Sequence, residues 1–323
     1  MKIVHAAGLL LAFAAAATAA PLPAQQYPTK PIRLIVPFPP GGPTDTMGRI
    51  LGQKLTEVLG QQVVVDDRVG AGGNIGMGIA ANAAPDGYTM LIVSSSFVVN
   101  PGLYRKIPYD PFRSFLPVSN VAASPNVFVV HPTIPARTMQ ELVGLMKKEP
   151  RKFNIGTPGV GTTPDLSAQL LRLTTRLDIT TVPYAGAGPA VTAVVGNQVP
   201  VGCTALPPTT PYITSGRLRA LAVTSAKRSG TLPNVPTMAE AGFPGQEADT
   251  LQGVLLPAGT PKAIVDRLHG EIVKIMAMPD VKEKMATLGF DIIASSPQEF
   301  AAQIRNEVPK WSKVVKNAGI QVN

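Results

Sequence analysis

The sequence predicts an α/β protein built as two lobes with a ligand cleft between them. Short β-branched runs alternate with helix-length segments along most of the 323 residues, a pattern typical of sheets covered by helices on both faces. The predicted strands are too numerous for one sheet of ordinary size at this length, which favours two sheets. Small polar loops follow several strands, at the sheet edge where α/β proteins bind ligands.

The first 24 residues have the layout of a secretory signal peptide. Lys2 precedes an apolar run at residues 6–17 and small residues with candidate cleavage sites after Ala19 or Ala24. The apolar core is about a dozen residues, whereas a membrane span needs about 20, so an uncleaved anchor is disfavoured. We therefore expect the protein to be exported and the mature chain to begin near Gln25.

The strands and helices follow from periodicity. Predicted strands are residues 32–36, 63–65, 90–93, 127–130, 154–155, 179–182, 199–201 and 218–223. Apolar residues recur at helical spacing from Met47 to Leu59, so the chain opens with a β-α-β unit and the sheets are expected to be largely parallel. Thr138 and Ser296 each precede a Glu by three residues, the spacing of a capped helix start. Pro309 is expected to kink or interrupt the last helix.

Composition excludes several functional classes. Cys203 is the only cysteine, so an internal disulfide, a thiolate zinc cluster and a redox pair are ruled out. The net charge of +9 weakly favours an anionic ligand, but Lys and Arg are scattered and Trp is single, which argues against nucleic-acid binding. His131 and His269 lack a nucleophile motif beside them. We expect no enzyme activity, no metal and no cofactor.

Four strand-to-helix loops are rich in small and polar residues, at residues 37–45, 94–96, 156–165 and 183–188. Glycine lets the backbone approach a ligand, while hydroxyls and the first N–H groups of the following helix donate hydrogen bonds to an anion. None of these loops contains Lys or Arg, so the pattern favours a carboxylate held by neutral donors. The alternative is that these residues only form turns, but four loops at corresponding places favour a binding site.

Two features allow a second interpretation. Asp45 either complements the helix dipole or faces the cleft, where it would repel a carboxylate or hold an ammonium group; we favour the first. The segment Gly70–Gly76 looks like a nucleotide loop, but Ile75 stands where the dinucleotide fingerprint requires glycine. We interpret it as a tight loop that packs a helix against a sheet.

The chain resembles the Bug receptors, the TctC-like substrate-binding proteins of tripartite tricarboxylate transporters. The matching segments run in order over nearly the whole mature chain. They are residues 27–45, 67–76, 85–89, 182–186, 216–223, 235–242 and 257–261. In one departure, Pro164 and Asp165 stand where many relatives have Ser-His, which replaces a histidine donor with an acid.

The resemblance implies a type II periplasmic-binding-protein fold that closes on its ligand like a Venus flytrap. Residues 25–124 and 226–323 would form the first lobe and residues 125–225 the second. The implied ligand contacts are Phe38, Pro39, Pro40, Gly41, Gly42, Ser94, Ser95 and Ser96 of the first lobe and Thr157, Thr162, Thr163, Tyr184, Ala185, Gly186 and Ala205 of the second. Asp45 stays among the candidates.

The implied function is that of a monomeric solute-binding protein. It would trap a dicarboxylate, tricarboxylate, amino acid or aromatic acid by hinge closure and pass it to a membrane permease of the tripartite tricarboxylate type. The alternative is a ligand-sensing receptor that presents its bound form to a membrane histidine kinase. A secreted hydrolase that uses Ser94, Ser95 or Ser96 is the weakest candidate.

Overall fold

The computed structural model describes residues 27–322, which form two separate sheets. The strands are β1 (Ile32–Val36), β2 (Val63–Asp67), β3 (Thr89–Val93), β4 (Phe115–Ser124), β5 (Asn126–Val130), β6 (Asn154–Thr157), β7 (Thr180–Pro183), β8 (Val201–Ala205), β9 (Arg219–Val223), β10 (Thr250–Pro257) and β11 (Asp291–Ile292). The six-stranded first sheet has the order β11-β4-β10-β3-β1-β2, and the five-stranded second sheet has the order β7-β6-β8-β5-β9. The predicted α/β architecture with two sheets is confirmed, whereas the predicted signal lies outside the described residues.

Both sheets are mixed, so the expectation of largely parallel sheets is wrong. Strand β1 pairs in parallel with β2 and β3, and β6 pairs in parallel with β7 and β8. By contrast, β10 is antiparallel to β3 and β4, and β5 is antiparallel to β8 and β9. Much of the difference arises because the sequence pattern predicts none of β4, β10 and β11.

Helices cover both faces of each sheet. They are α1 (Pro43–Leu59), α2 (Asn74–Ala81), α3 (Ser96–Leu103), α4 (Met139–Lys148), α5 (Thr163–Thr175), α6 (Ala187–Val195), α7 (Leu206–Thr214), α8 (Lys262–Ala277), α9 (Pro279–Leu288) and α10 (Pro297–Ala318). Helices α1, α8 and α9 bury apolar residues on one face of the first sheet, and α2, α3 and α10 do so on the other. Helices α4 and α5 cover one face of the second sheet and α6 and α7 the other. Within residues 27–322, no helix is long and apolar enough to cross a membrane.

The helix ends agree with the predicted caps only in part. Ser296 forms a full capping box with Glu299 at the start of α10. At α4, the Thr138 hydroxyl oxygen accepts the N–H of Glu141 at 3.1 Å, but the Glu141 carboxylate accepts the N–H of Arg137 instead. Helix α10 runs without interruption through Pro309 to Ala318, because its buried face packs on the first sheet along the whole length.

The chain passes between the sheets at two places that lie side by side. It leaves the first sheet after β4 and returns to it before β10. The backbone N–H of Asn126 donates to the Thr224 hydroxyl oxygen at 3.1 Å. The Asn126 amide and the Thr224 hydroxyl both donate to the carbonyl oxygen of Ala248, at 2.5 and 2.7 Å. These buried hydrogen bonds tie the two crossings together.

Candidate functional site

A cavity lies between the two sheets, where loops from both converge. It contains about 530 Å³ of space not filled by protein atoms, part of it open to solvent. The loops after β1 and β3 line it from the first sheet, and those after β6, β7 and β8 line it from the second. The lining residues are Phe38, Pro39, Gly42, Pro43, Thr44, Ser94, Ser96, Pro158, Thr162, Thr163, Pro164, Gly186, Ala187, Ala205 and Thr250.

The structure brings together many of the sequence-predicted site residues. Those that line the cavity are Phe38, Pro39, Gly42, Ser94, Ser96, Thr162, Thr163, Gly186 and Ala205. Those outside its lining are Pro40, Gly41, Asp45, Ser95, Thr157, Tyr184 and Ala185. The residues outside it belong to the same loops, and several of them hold those loops in place.

Asp45 fixes the first loop instead of facing the cavity. Its Oδ2 accepts the backbone N–H of Gly41 at 2.8 Å, and its Oδ1 pairs with Arg49 at 2.7 Å, one turn further along α1. The interaction of its guanidinium N–H groups with the Asp45 carboxylate raises the pKa of Arg49, which also pairs with Asp67. The carboxylate therefore holds the loop through Oδ2 and forms an ion pair with Arg49 through Oδ1, although the geometry of that pair is not that of a hydrogen bond.

Asp165 plays the same part in the third loop. Its Oδ2 accepts the N–H of Gly161 at 3.0 Å, and its Oδ1 accepts the Thr157 hydroxyl at 3.1 Å. Burial raises the pKa of Asp165. In both loops the acid stands four residues after the glycine whose N–H it accepts. That shared Gly-x-x-x-Asp spacing is visible in the sequence and could have identified both acids as loop supports.

The first turns of several helices supply hydrogen-bond donors at the cavity. Gly42, Thr162 and Gly186 are the N-cap residues of α1, α5 and α6, and all three line the cavity. The first N–H groups of a helix have no acceptor within it and carry partial positive charge. Thr44, Ser94 and Ser96, which carry hydroxyls, also line the cavity. The arrangement can bind an anion without a basic side chain.

The three serines of the second loop have different roles. Ser94 and Ser96 line the cavity. The Ser95 hydroxyl oxygen accepts the N–H of Leu251 at 3.0 Å, and its proton is donated to the carbonyl oxygen of Asp249 at 3.2 Å. Ser95 therefore holds the start of α3 against β10.

Thr250 is a lining residue that the sequence pattern does not reveal, because it begins the unpredicted strand β10. Its hydroxyl donates to Oδ1 of Asn126 at 2.9 Å. A hydroxyl has one proton, so in the 2.5 Å contact between the two threonine hydroxyls Thr163 is the donor and Thr250 the acceptor. The chain Thr163–Thr250–Asn126 joins α5 of the second sheet to the first sheet beside the crossings.

Loops of the two sheets also touch at two glycines. A Cβ added at Gly186 would lie 3.3 Å from Cγ of Pro39, and one added at Gly161 would lie 2.1 Å from Cδ2 of Leu103. Pro39 and Leu103 belong to the first sheet's loop and helix, and the glycines belong to loops of the second sheet. The two halves are in contact around the cavity.

The cavity carries no catalytic or metal-ligating set within the described part of the chain. Every residue that lines it is uncharged. Residues 27–322 contain no cluster of His, Cys, Asp and Glu able to hold a metal ion. Cys203 is fully buried in the core of the second sheet, and burial raises the pKa of its thiol.

Comparison with known proteins matches this chain to one receptor family and to several solved structures. Residues 47–320 match the model of the tripartite tricarboxylate transporter family receptor. The periplasmic binding protein BugD is 36% identical, with a TM-score of 0.86 over 91% of this chain and 99% of that one. The Rhodopseudomonas palustris protein Rpa4515, solved with adipate, is 35% identical, with a TM-score of 0.88 over 91% and 99%. MatC of the same organism, solved with bound malate, is 29% identical, with a TM-score of 0.84 over 90% and 100%.

Proposed function

We propose, from the premise that this chain belongs to the tripartite tricarboxylate transporter receptor family, that it captures a small organic carboxylate by closing its two lobes over the cavity. The family and its structural neighbours are periplasmic solute-binding receptors and not enzymes. This chain is likewise a receptor and not an enzyme. The finer proposal concerns what it binds and how.

The observation that carries the proposal is an uncharged cavity ringed by helix N-termini. A carboxylate needs several hydrogen-bond donors to replace its hydration shell. The first turns of α1, α5 and α6 and the hydroxyls of Thr44, Ser94 and Ser96 supply them. The adipate and malate found in two neighbours are both carboxylates, which supports the same ligand class here.

The proposal extends to localisation and partner. Residues 1–24 act as a cleaved export signal, the mature chain begins near Gln25, and the receptor works as a monomer in the periplasm. The closed form then presents its ligand to a membrane permease of the tripartite tricarboxylate type, the partner that the family name indicates.

The test uses pairs of small carboxylic acids and their primary amides, which match in shape but differ in charge. A ligand that binds only the folded state stabilises it by about 2.7 kcal/mol at 100 times its Kd. We expect at least one acid to raise the thermal midpoint of residues 25–323 by about 5–10 °C, while its amide has little effect. Stabilisation by amides or neutral sugars, and by no acid, would contradict the carboxylate proposal.

Thr163→Val is expected to weaken binding of the best acid by about 3- to 10-fold, since one hydrogen bond contributes about 0.5–1.5 kcal/mol. The variant removes the hydroxyl contact between α5 and β10 but leaves the Thr163 N–H in place. Titration calorimetry measures the change, with Thr192→Val on the exposed face of α6 as the matched control. Equal affinity of the two variants would show that this contact does not stabilise the bound state.

A further inference from the structure

Asp249 lies at the point where the chain passes from the second sheet back to the first. On one side of it, the N–H of Ala248 donates to the carbonyl oxygen of Thr224 at 3.1 Å, next to the hydrogen bonds that tie the two crossings together. On the other side, the N–H of Leu251 donates to the Ser95 hydroxyl oxygen at the start of α3. The chain is thus held by the second sheet just before Asp249 and by the first sheet just after it. On this crossing, a rotation of one lobe against the other has to be taken up close to Asp249.

The Asp249 carboxyl is poorly solvated and lies near three charged groups of the first lobe. Burial has the largest effect on its pKa, Asp291 of β11 and Glu307 of α10 add to that effect, and Lys310 of α10 opposes it, which together raise the pKa to about 7. Oδ1 is buried without a hydrogen-bond partner, although the residue as a whole is partly exposed. Without a partner, the charge of this carboxyl depends on its access to water.

Helix α5 of the second lobe contributes to the apolar cover beside Asp249. Leu166 of α5 is fully buried in an apolar cluster whose other buried members, within residues 27–322, belong to the first lobe. Ala248 and Leu251, on either side of Asp249 in the chain, are part of this cluster, and so is Trp311 of α10. The cover around the carboxyl is therefore built partly from the other lobe.

The other helices in contact with α10 add no charge near Asp249 within the described chain. Helix α3 contains no ionisable residue. In α5, the Asp165 carboxylate accepts the N–H of Gly161, and the Arg172 guanidinium donates to the Gln169 amide oxygen. Both charges are engaged within the second lobe. Hydration is therefore the property of the Asp249 carboxyl that a movement of α5 would change.

We propose that closure of the lobes dehydrates the Asp249 carboxyl, so that ligand capture takes up a proton at this residue and is favoured by mildly acidic conditions. This inference rests on the proposed binding function and adds its regulation. In the open form α5 is withdrawn and water stabilises the ionised carboxyl, whereas the closed form favours the protonated one. The pKa is then higher in the closed form, so affinity is greatest at low pH and falls as pH rises through the range between the open and closed values.

The first test measures proton uptake by titration calorimetry of residues 25–323 in buffers that differ in enthalpy of ionisation. The probe is the carboxylic acid that raises the thermal midpoint most in the acid–amide comparison. We expect an uptake of about 0.4–0.7 proton per acid bound at pH 6.5 and an affinity about 3- to 10-fold tighter at pH 6 than at pH 8. Binding without proton uptake would overturn this inference and leave the receptor function standing. If no acid binds, the carboxylate function fails and this inference fails with it.

Asp249→Asn keeps the shape of the side chain but cannot titrate. We expect it to bind the probe at pH 8 at least as tightly as the unsubstituted protein, with a proton uptake smaller by about 0.4 or more at pH 6.5. Glu247→Gln is the matched control at an exposed position two residues away, and its uptake should not change. Titration of the probe itself is common to all three proteins, so equal uptake in the two variants would overturn the proposal.

Leu166→Ala tests the part of α5. The smaller side chain admits water beside Asp249 in the closed form, so the ratio of the affinities at pH 6 and pH 8 should fall by about 2-fold or more. A general loss of packing would lower both affinities together and leave that ratio unchanged. An unchanged ratio would overturn the role of the lobe contact.

A direct measurement needs no variant. The ¹³C resonance of the Asp249 carboxyl, followed by NMR as a function of pH, reports the pKa of this group with and without a saturating concentration of the probe acid. We expect the higher pKa in the presence of the acid. The same pKa in both samples would overturn the proposal even if the affinity depends on pH, because another group would then be the one that titrates.

Discussion

Gly161→Ala is expected to weaken ligand binding by about 10- to 100-fold while the unliganded protein stays folded. The added Cβ would lie 2.1 Å from Cδ2 of Leu103. Gly161 belongs to a second-lobe loop and Leu103 ends α3 of the first lobe, so the clash exists only when the lobes are together. Overpacking of this kind costs about 1–3 kcal/mol, which corresponds to the stated loss of affinity for the closed state.

The control for Gly161→Ala is Gly216→Ala. Both glycines have φ of +73°, but a Cβ at Gly216 would have no atom within 4 Å, and Gly216 does not line the cavity. Both variants therefore carry the same backbone strain, and only one carries the contact across the lobes. Equal affinity of the two variants for the same carboxylate would refute the closure argument. Partial recovery of binding in Gly161→Ala with Leu103→Ala would identify Leu103 as the cause.

Asp249→Asn is expected to stabilise the protein at about pH 8 by about 1–3 kcal/mol and to change little near pH 4. Burial, reinforced by Asp291 and Glu307 and opposed by Lys310, raises the pKa of Asp249 to about 7. Its Oδ1 is buried without a hydrogen-bond partner. At pH 8 the folded protein therefore holds an ionised carboxylate that its surroundings solvate poorly, whereas the unfolded chain exposes the same group to water.

The sign follows from proton binding in the two states. Well below pH 4 Asp249 is protonated in both the folded and the unfolded chain, so it imposes no penalty. As pH rises towards about 7, the unfolded chain loses its proton first, and the free energy of unfolding falls. Above that pH the penalty is constant, and asparagine removes it.

Thermal melts across this pH range measure the effect, which corresponds to about 3–8 °C at high pH. Glu247→Gln is the matched control, since it removes one negative charge two residues away at an exposed position. A stabilisation by Asp249→Asn that is the same at both ends of the pH range would mean that ionisation is not its cause.

The sequence predicts the parts of the fold that have local signals. Strand β1, its glycine loop and α1 follow from an apolar run, turn residues and helical spacing, and they occur where expected. Strands β4 and β10 do not follow from such local signals, because they bury polar residues such as Ser119, Asn120 and Gln252. Their place depends on distant partners. A Cβ at Gly253 would lie 2.2 Å from Phe300, so a residue that looks like a turn instead lets α10 pack closely on the strand.

The same distinction applies to the candidate site. Loop membership could be predicted because glycines and hydroxyls follow recognisable strands. The direction of each side chain could not be predicted. Ser95 and Ser96 are adjacent serines, yet Ser95 forms a hydrogen bond with β10 and Ser96 lines the cavity. Thr250 could not be predicted as a site residue because its strand, β10, has no local sequence signal. The pairing of its hydroxyl with Thr163, 87 residues earlier in the chain, has no sequence signature.

The order of strands in the first sheet has a consequence for how the chain folds. Strand β10 lies between β4 and β3, so until residues 250–257 are available that sheet consists of two unconnected pieces. The second sheet comes entirely from the continuous stretch 126–223 and contains all its own pairing partners. Contacts between distant segments form slowly, and self-contained segments fold as units. A chain that emerges from its N-terminus would therefore complete the second sheet before the first, although the first sheet contains the earliest strands.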